Sequence, residues 1–241
     1  DVFKTVNIDD LSEEQAEQFM QNFGDTISEL ATSRSSSVSG LSDSMSELFN
    51  IAIQAGSAGI KKENLTEFVN TIGQLVIASD LTADQGTSEI ASLATILQTE
   101  EYDRLGSTIV GLGNEYNATE SKIVSFAQRL AGVASGTNLS AQDVLALSTA
   151  MASVGLEAEA GGTSMTQFVS TITEATAKGG AKLNTFADVA GVSAGRFVKL
   201  WEDDPTRVLN KLIKGFASMD AQEQVLIFDE LGTEGVRMTD M

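Results

Sequence analysis

The side chains of this sequence that could do chemistry are carboxylates, and two pairs of them are close enough in sequence to act together. Glu157 and Glu159 lie in the run ASVGLEAEAGGTSMTQF (152–168) beside Gly161 and Gly162, a combination that could hold a metal ion or an anion. On a helix, residues two apart point in different directions, so these glutamates cannot clasp one ion there. On a loop, an ion site needs further oxygen ligands, and no EF-hand-like run of Asp and Asn surrounds them. A phosphate cradle requires a strand, a glycine turn and the P-loop lysine, and neither lysine nor strand is at hand. Asp203 and Asp204 beside Trp201 could form the acid pair of a glycosidase. Asp204-Pro205, however, reads as a helix N-cap with proline at the first helical position, and one acidic pair without an aromatic-lined cleft makes a poor sugar site. Gly179-Gly180 with Lys178 and Lys182 could bind an anion, although a helix end whose lysine complements the dipole accounts for the same residues.

The chain has neither histidine nor cysteine. That removes thiol nucleophiles, disulfides, the usual zinc ligands and the side chain best suited to proton transfer near neutral pH. No catalytic, cofactor-binding or metal site is expected. The glycine run is read as a structural joint made by Gly155, Gly161, Gly162 and Thr163. In it, Gly161 or Gly162 either takes a backbone conformation closed to other residues or lets two helices approach closely.

Composition bounds the rest. The 241 residues are 42% hydrophobic, enough for a core, and 34 acidic against 15 basic residues give a net charge of −19. Such a charge repels phosphate backbones and anionic headgroups, which argues against direct nucleic-acid binding or membrane contact through a basic patch. No window reaches the roughly 20 apolar residues that cross a bilayer. Acid is densest at the start, where the first sixty residues carry ten Asp or Glu against Lys4 and Arg34. The chain opens on Asp1 and closes on GVRMTDM without a helix stop, as a fragment of something longer would.

The elements that must carry these residues are helices. One proline, few aromatics and almost no period-two alternation disfavour sheets. Apolar residues recur at i, i+3, i+4 and i+7 in Ile123, Phe126, Ala127, Leu130 and Val133; in Val144, Leu147, Met151 and Val154; in Met165, Phe168, Val169 and Ile172; and in Leu209, Leu212, Ile213 and Phe216. Starts are marked by Ser12, by capping boxes at Thr82/Gln85 and Asp220/Glu223, by Asn117 and Ser140, and by Asp204-Pro205. The sequons at Asn64, Asn117 and Asn138 coincide with these caps. Glycines close most segments. The expectation is an all-α, compact array of about ten to twelve short helices joined at glycines. An acidic helical region (1–54) with a serine-rich connection, SRSSSVSGLSDS (33–44), precedes a core helical domain (55–241). Gly86-Thr87-Ser88 and Gly162-Thr163-Ser164, with Thr95-Ile96 and Thr171-Ile172 behind them, suggest a repeated helix-turn-helix unit in which GTS starts a helix.

Three runs then carry a family resemblance: SAQDVLALSTAMASVGLEAEAGGTSMTQFVSTI (140–172), GGAKLNTFADVAGVSAGRFVKLWEDDPTRVLNKLIKGF (179–216) and VLIFDELGTEGVRM (225–238). In order and spacing they resemble the core region of bacteriophage tail tape measure proteins, the group typified by phages of Gram-positive bacteria. The signature positions are the AGGT joint, Trp201, Asp204 and Pro205, then Gly232 and Arg237. Residues 55–135 resemble the earlier part of the same core, so the likeness covers about three quarters of the chain. The resemblance implies a non-enzymatic structural protein that sets tail length, occupies the tail lumen and leaves ahead of the genome. The implied partners are other copies of itself, the tail tube, tail-end (tip or terminator) proteins and a tail assembly chaperone; the implied places are the virion tail lumen and, during assembly, the host cytoplasm. A measuring helix converts residues to distance at about 1.5 Å each, whereas these glycine-broken helices predict a compact assembly or docking module. A peptidoglycan-hydrolysing tail protein and a chaperone-like prophage interaction protein are the alternatives.

Overall fold

Apolar stripes at helical spacing, bounded by caps and glycines, fold into twelve α-helices among the described residues, with no strand there. The computed structural model describes residues 2–32 and 44–231. The serine-rich connection, apart from Ser44, lies outside the described residues, as do Gly232 and Arg237. The chain packs as two units, Asp1–Val124 and Ser125–Met241.

The first unit contains a 3-10 turn at Val2–Lys4, α1 (Glu13–Thr32), α2 (Ser44–Ser57), a second 3-10 turn at Lys62–Asn64, α3 (Leu65–Ala78), α4 (Ala83–Ile96) and α5 (Tyr102–Glu115). Helix α3 is its centre and packs against α1, α2, α4 and α5. Its sequence explains why: Leu65, Phe68, Val69, Ile72 and Leu75 repeat at three and four residues and are all buried. The Phe68 ring meets Tyr102 edge-on at 5.1 Å. Helix α1 buries Phe23, Ile27 and Ala31 and turns Glu13, Glu14, Glu17, Asp25 and Glu29 to solvent. Distant segments are also tied by charge, Lys62 to Asp10 at 2.7 Å and Lys61 to Glu100 at 2.6 Å.

Helix α6 (Glu120–Ala134) contains the boundary between the units. Asn117 is not its cap: Thr119 Oγ1 accepts from the Lys122 amide, and the Asp80 carboxylate accepts from the Ser121 amide at 2.9 Å. A carboxylate brought in from the end of α3 thus does the work of satisfying the free N–H groups of the first turn.

The second unit continues with α7 (Ala141–Ser153), α8 (Ala158–Lys178), α9 (Ala181–Val189), α10 (Ala194–Asp203), α11 (Pro205–Ala217) and α12 (Ala221–Leu231). The short α9 is its hub, packed against α8, α10, α11 and α12. Rings join these helices. Phe186 lies 5.9 Å from Phe168 and 6.1 Å from Phe197; Phe216 lies 6.3 Å from Phe168 and 4.9 Å from Phe228. Each fully buried phenylalanine contributes roughly 1.5–3 kcal/mol, against about 1 kcal/mol for a good N-cap, so the rings hold this unit and the caps trim its helices. Gly215 of α11 lies against the Val189 carbonyl with no room for a β-carbon. Gly179 and Gly180, at φ 72, ψ −155 and φ 83, ψ −158, reverse the chain between α8 and α9 in a region essentially reserved for glycine.

Candidate functional site

The glycine run divides differently from its sequence reading. Only Val154–Glu157 link α7 to α8, and Gly155 makes the turn at φ 80. Gly161, Gly162 and Thr163 lie inside α8, in its first turns. There the two glycines are buried where α8 runs close to α6: a β-carbon on Gly161 would come within 3.1 Å of the Phe126 ring, and one on Gly162 within 2.6 Å of Arg129 Cδ. Thr166 Oγ1 donates to the Arg129 carbonyl along the same seam at 3.2 Å. Close approach, not a special backbone conformation, is what Gly161 and Gly162 permit. Thr163 is exposed, and its hydroxyl bonds back to the Glu159 carbonyl.

GTS does not start a helix in either place. Thr82 and Gln85 form the capping box of α4, and Gly86 follows one turn in. Glu157 occupies the N-cap position of α8 without a side-chain cap bond, and Glu159 follows in the first turn. Both acids are exposed, and their place at a helix N-terminus suits the dipole without any bound cation. The two segments also bury different faces. Thr87 is buried where Thr163 is exposed, and Ile172 is buried where Ile96 is only half covered.

Of the second acid pair, Asp204 is a cap: its carboxylate accepts from the Arg207 amide at 2.9 Å, and Pro205 is buried at the first helical position of α11. Asp203 is exposed at the end of α10, and Trp201 is packed inside. Ser140 and Asp143 form the capping box of α7. Burial works to raise the Asp143 pKa, but the Ser140 hydroxyl and amide donate to the carboxylate and hold it below the usual range. Asp80 has the same balance, burial being outweighed by donors from Ser121 and Thr119. Asn138 is no cap, since its amide donates to the Glu202 carbonyl, and Asn64 precedes α3 without a side-chain cap bond. Among the described residues no three acids, histidines or cysteines are grouped to hold a metal, and no helix is long and apolar enough to cross a membrane.

What the sequence stripes missed is a groove. In α7 the innermost face is Val144, Leu145, Ser148, Thr149, Met151 and Ala152, which keeps Val144 and Met151 of the expected run but not Leu147 or Val154. The buried hydroxyls are satisfied within the helix, Ser148 by the Val144 carbonyl at 2.7 Å and Thr149 by the Leu145 carbonyl at 2.8 Å. The displaced apolar side chains, Leu147 and Val154, face a cavity of about 330 Å³ together with Ala150, Met151, Met165, Ile213, Phe216, Ala217, Gln224 and Phe228. No charged group lines it. Val154 is 55% and Ile213 46% exposed, and nearby in sequence α12 shows Val225 and Leu226 at 59% and 69%. Apolar surface of this kind, left open by an otherwise well-packed helical unit, suits contact with another protein.

No curated protein and no solved structure matches the chain. A family does: residues 35–232 match the family model described as phage-related minor tail protein. The match takes in α2 to α12. With its all-helical architecture and its open apolar groove, the chain belongs to the phage-related minor tail protein family and is a structural component of a phage tail.

Proposed function

We propose that the chain is the core segment of a tail tape measure protein, one that sets tail length, occupies the tail lumen and takes part in tail assembly and genome ejection. Within that protein the segment works as a helical assembly and docking module, without enzymatic activity. The observation that carries the reading is the apolar groove between α7, α11 and α12, built from the same runs whose order and spacing resemble tape measure cores. Helices this short cannot measure length by themselves, because a measuring helix must be continuous to turn residues into distance at about 1.5 Å each. The acidic region 1–54 and the core region 55–241 are then two parts of one module, the first solvated or set against a basic surface of a tail partner. Groove partners in this reading are the tail tube, the tip or terminator proteins, or a tail assembly chaperone.

Two measurements on assembled particles test this. Density for the segment is expected inside the tail lumen, and density confined to the outer tip would overturn the placement. An in-frame deletion of the module in the parent gene is expected to abort tail assembly. Viable tails shortened in proportion to the residues removed would instead make this segment part of the ruler.

A further inference from the structure

The cations of this chain are not spread evenly. Arg196, Lys199, Arg207, Lys211 and Lys214 fall on two consecutive helices, α10 and α11. Arg207, Lys211 and Lys214 follow i, i+4 and i+7, and so make one stripe turned away from buried Val208, Leu209, Leu212 and Phe216. On α10, Arg196 and Lys199 also turn away from Phe197 and Trp201, but they share that face with exposed Glu202 and Asp203, so the purely cationic stripe is that of α11, which contains no acid. None of the five makes an ion pair among the described residues. In the first unit, by contrast, Lys61, Lys62 and Arg104 each hold a carboxylate. In a protein with more than twice as many acids as bases, a cationic face left unpaired by its own acids is available to another molecule.

The matching surface is on the same chain. Helix α1 exposes Glu13, Glu14, Glu17, Asp25 and Glu29, contains no cation, and ties none of these acids in an ion pair among the described residues. The geometry points to a contact between copies in which the cationic stripe of α11 receives the acidic face of α1 from a second copy of the chain. At physiological salt the screening length is about 8 Å. The repulsion of two copies at −19 is therefore damped beyond the contact layer, and the local pairing decides. This contact rests on the reading of the segment as an assembly module and names the surfaces it uses.

Sedimentation equilibrium of the 241-residue chain tests it. Self-association is expected at about 150 mM salt, where the net repulsion is screened, and should weaken roughly threefold by about 500 mM as the local pairs are screened too. Arg207→Glu, Lys211→Glu and Lys214→Glu together should weaken it roughly tenfold, the sum of three surface pairs, and so should Glu14→Lys, Glu17→Lys and Glu29→Lys. Mixing the two reversed proteins should restore association, because the reversed stripe of one now matches the reversed α1 of the other. If a reversed chain loses its helical circular dichroism, neutral Gln replacements at the same positions take its place. A chain that stays monomeric at every salt concentration, or association unmoved by either reversal, overturns the contact; so does a mixture that fails to associate. None of these results bears on where the segment lies in a tail, so the contact and the assembly reading fail separately.

Discussion

Residues 1–124 and 125–241 are both helical units, yet they use charge in opposite ways. The first contains twenty acids and six bases, and two of its lysines tie distant segments together, Lys62 to the turn at Asp10 and Lys61 to Glu100. The second closes on a run of five phenylalanines and on glycine seams, and leaves most of its cations facing water. The difference separates folding from recognition. Where apolar packing suffices to hold a unit, its charges are released for contact with other molecules.

Trp201, the single tryptophan, lies in the second unit, and both tyrosines, Tyr102 and Tyr116, lie in the first, so fluorescence reads the two units separately. The largest effect is expected from Phe186→Ala, which removes the ring between Phe168 and Phe197 and should cost about 3–5 kcal/mol. Urea titration should show the Trp201 transition moved sharply down while the tyrosine signal holds. An equal shift in both signals would erase the contrast between the units. Gly215→Ala comes next. Its β-carbon meets a backbone carbonyl that cannot swing aside, and overpacking of this sort costs about 1–3 kcal/mol, again in the tryptophan signal.

Acid separates the units by their capping aspartates. Asp80 and Asp143 are both held below the usual range. A depressed folded pKa gives stability that is fully present above the unfolded value, about 3.9, and is lost as pH falls through the folded value. Asp80→Asn should flatten the acid response of the tyrosine signal, and Asp143→Asn that of tryptophan; urea midpoints at pH 5 and pH 2.5 give the comparison. The smallest effect is a gain. Gly24 sits within α1 with open space where a β-carbon would go, and Gly24→Ala should stabilise the first unit by about 0.5–1 kcal/mol.

Local signals were legible in the sequence because they are settled by neighbours. Thr82, Ser140 and Asp204-Pro205 cap helices through bonds that span three residues. The groove was not legible. In α7 the apolar run Val144, Leu147, Met151, Val154 competes with the face Val144, Leu145, Ser148, Thr149, Met151, Ala152, and hydrophobicity alone favours the first. The second is buried because serine and threonine can satisfy their hydroxyls on their own helix, a saving that residue-type counts do not register. Asn117 failed as a cap for a related reason: the donors of α6 are met by Asp80, forty-one positions from Ser121. The close helix approach at Gly161 and Gly162 is one of the two roles the sequence offers for them, but its partners, Phe126 and Arg129, are residues no local pattern names.

The reversal at Gly179 and Gly180 has a consequence in handedness. With φ near +72 and +83 and ψ near −155 and −158, both residues occupy the mirror image of the extended backbone that ordinary amino acids prefer. An L-alanine at either position would be strained, whereas a D-alanine introduced by semisynthesis would sit in its own relaxed region, lose the freedom glycine has when unfolded, and leave the turn between α8 and α9 intact. The joint demands a chirality that ribosomal side chains lack, and glycine fills it because glycine has none.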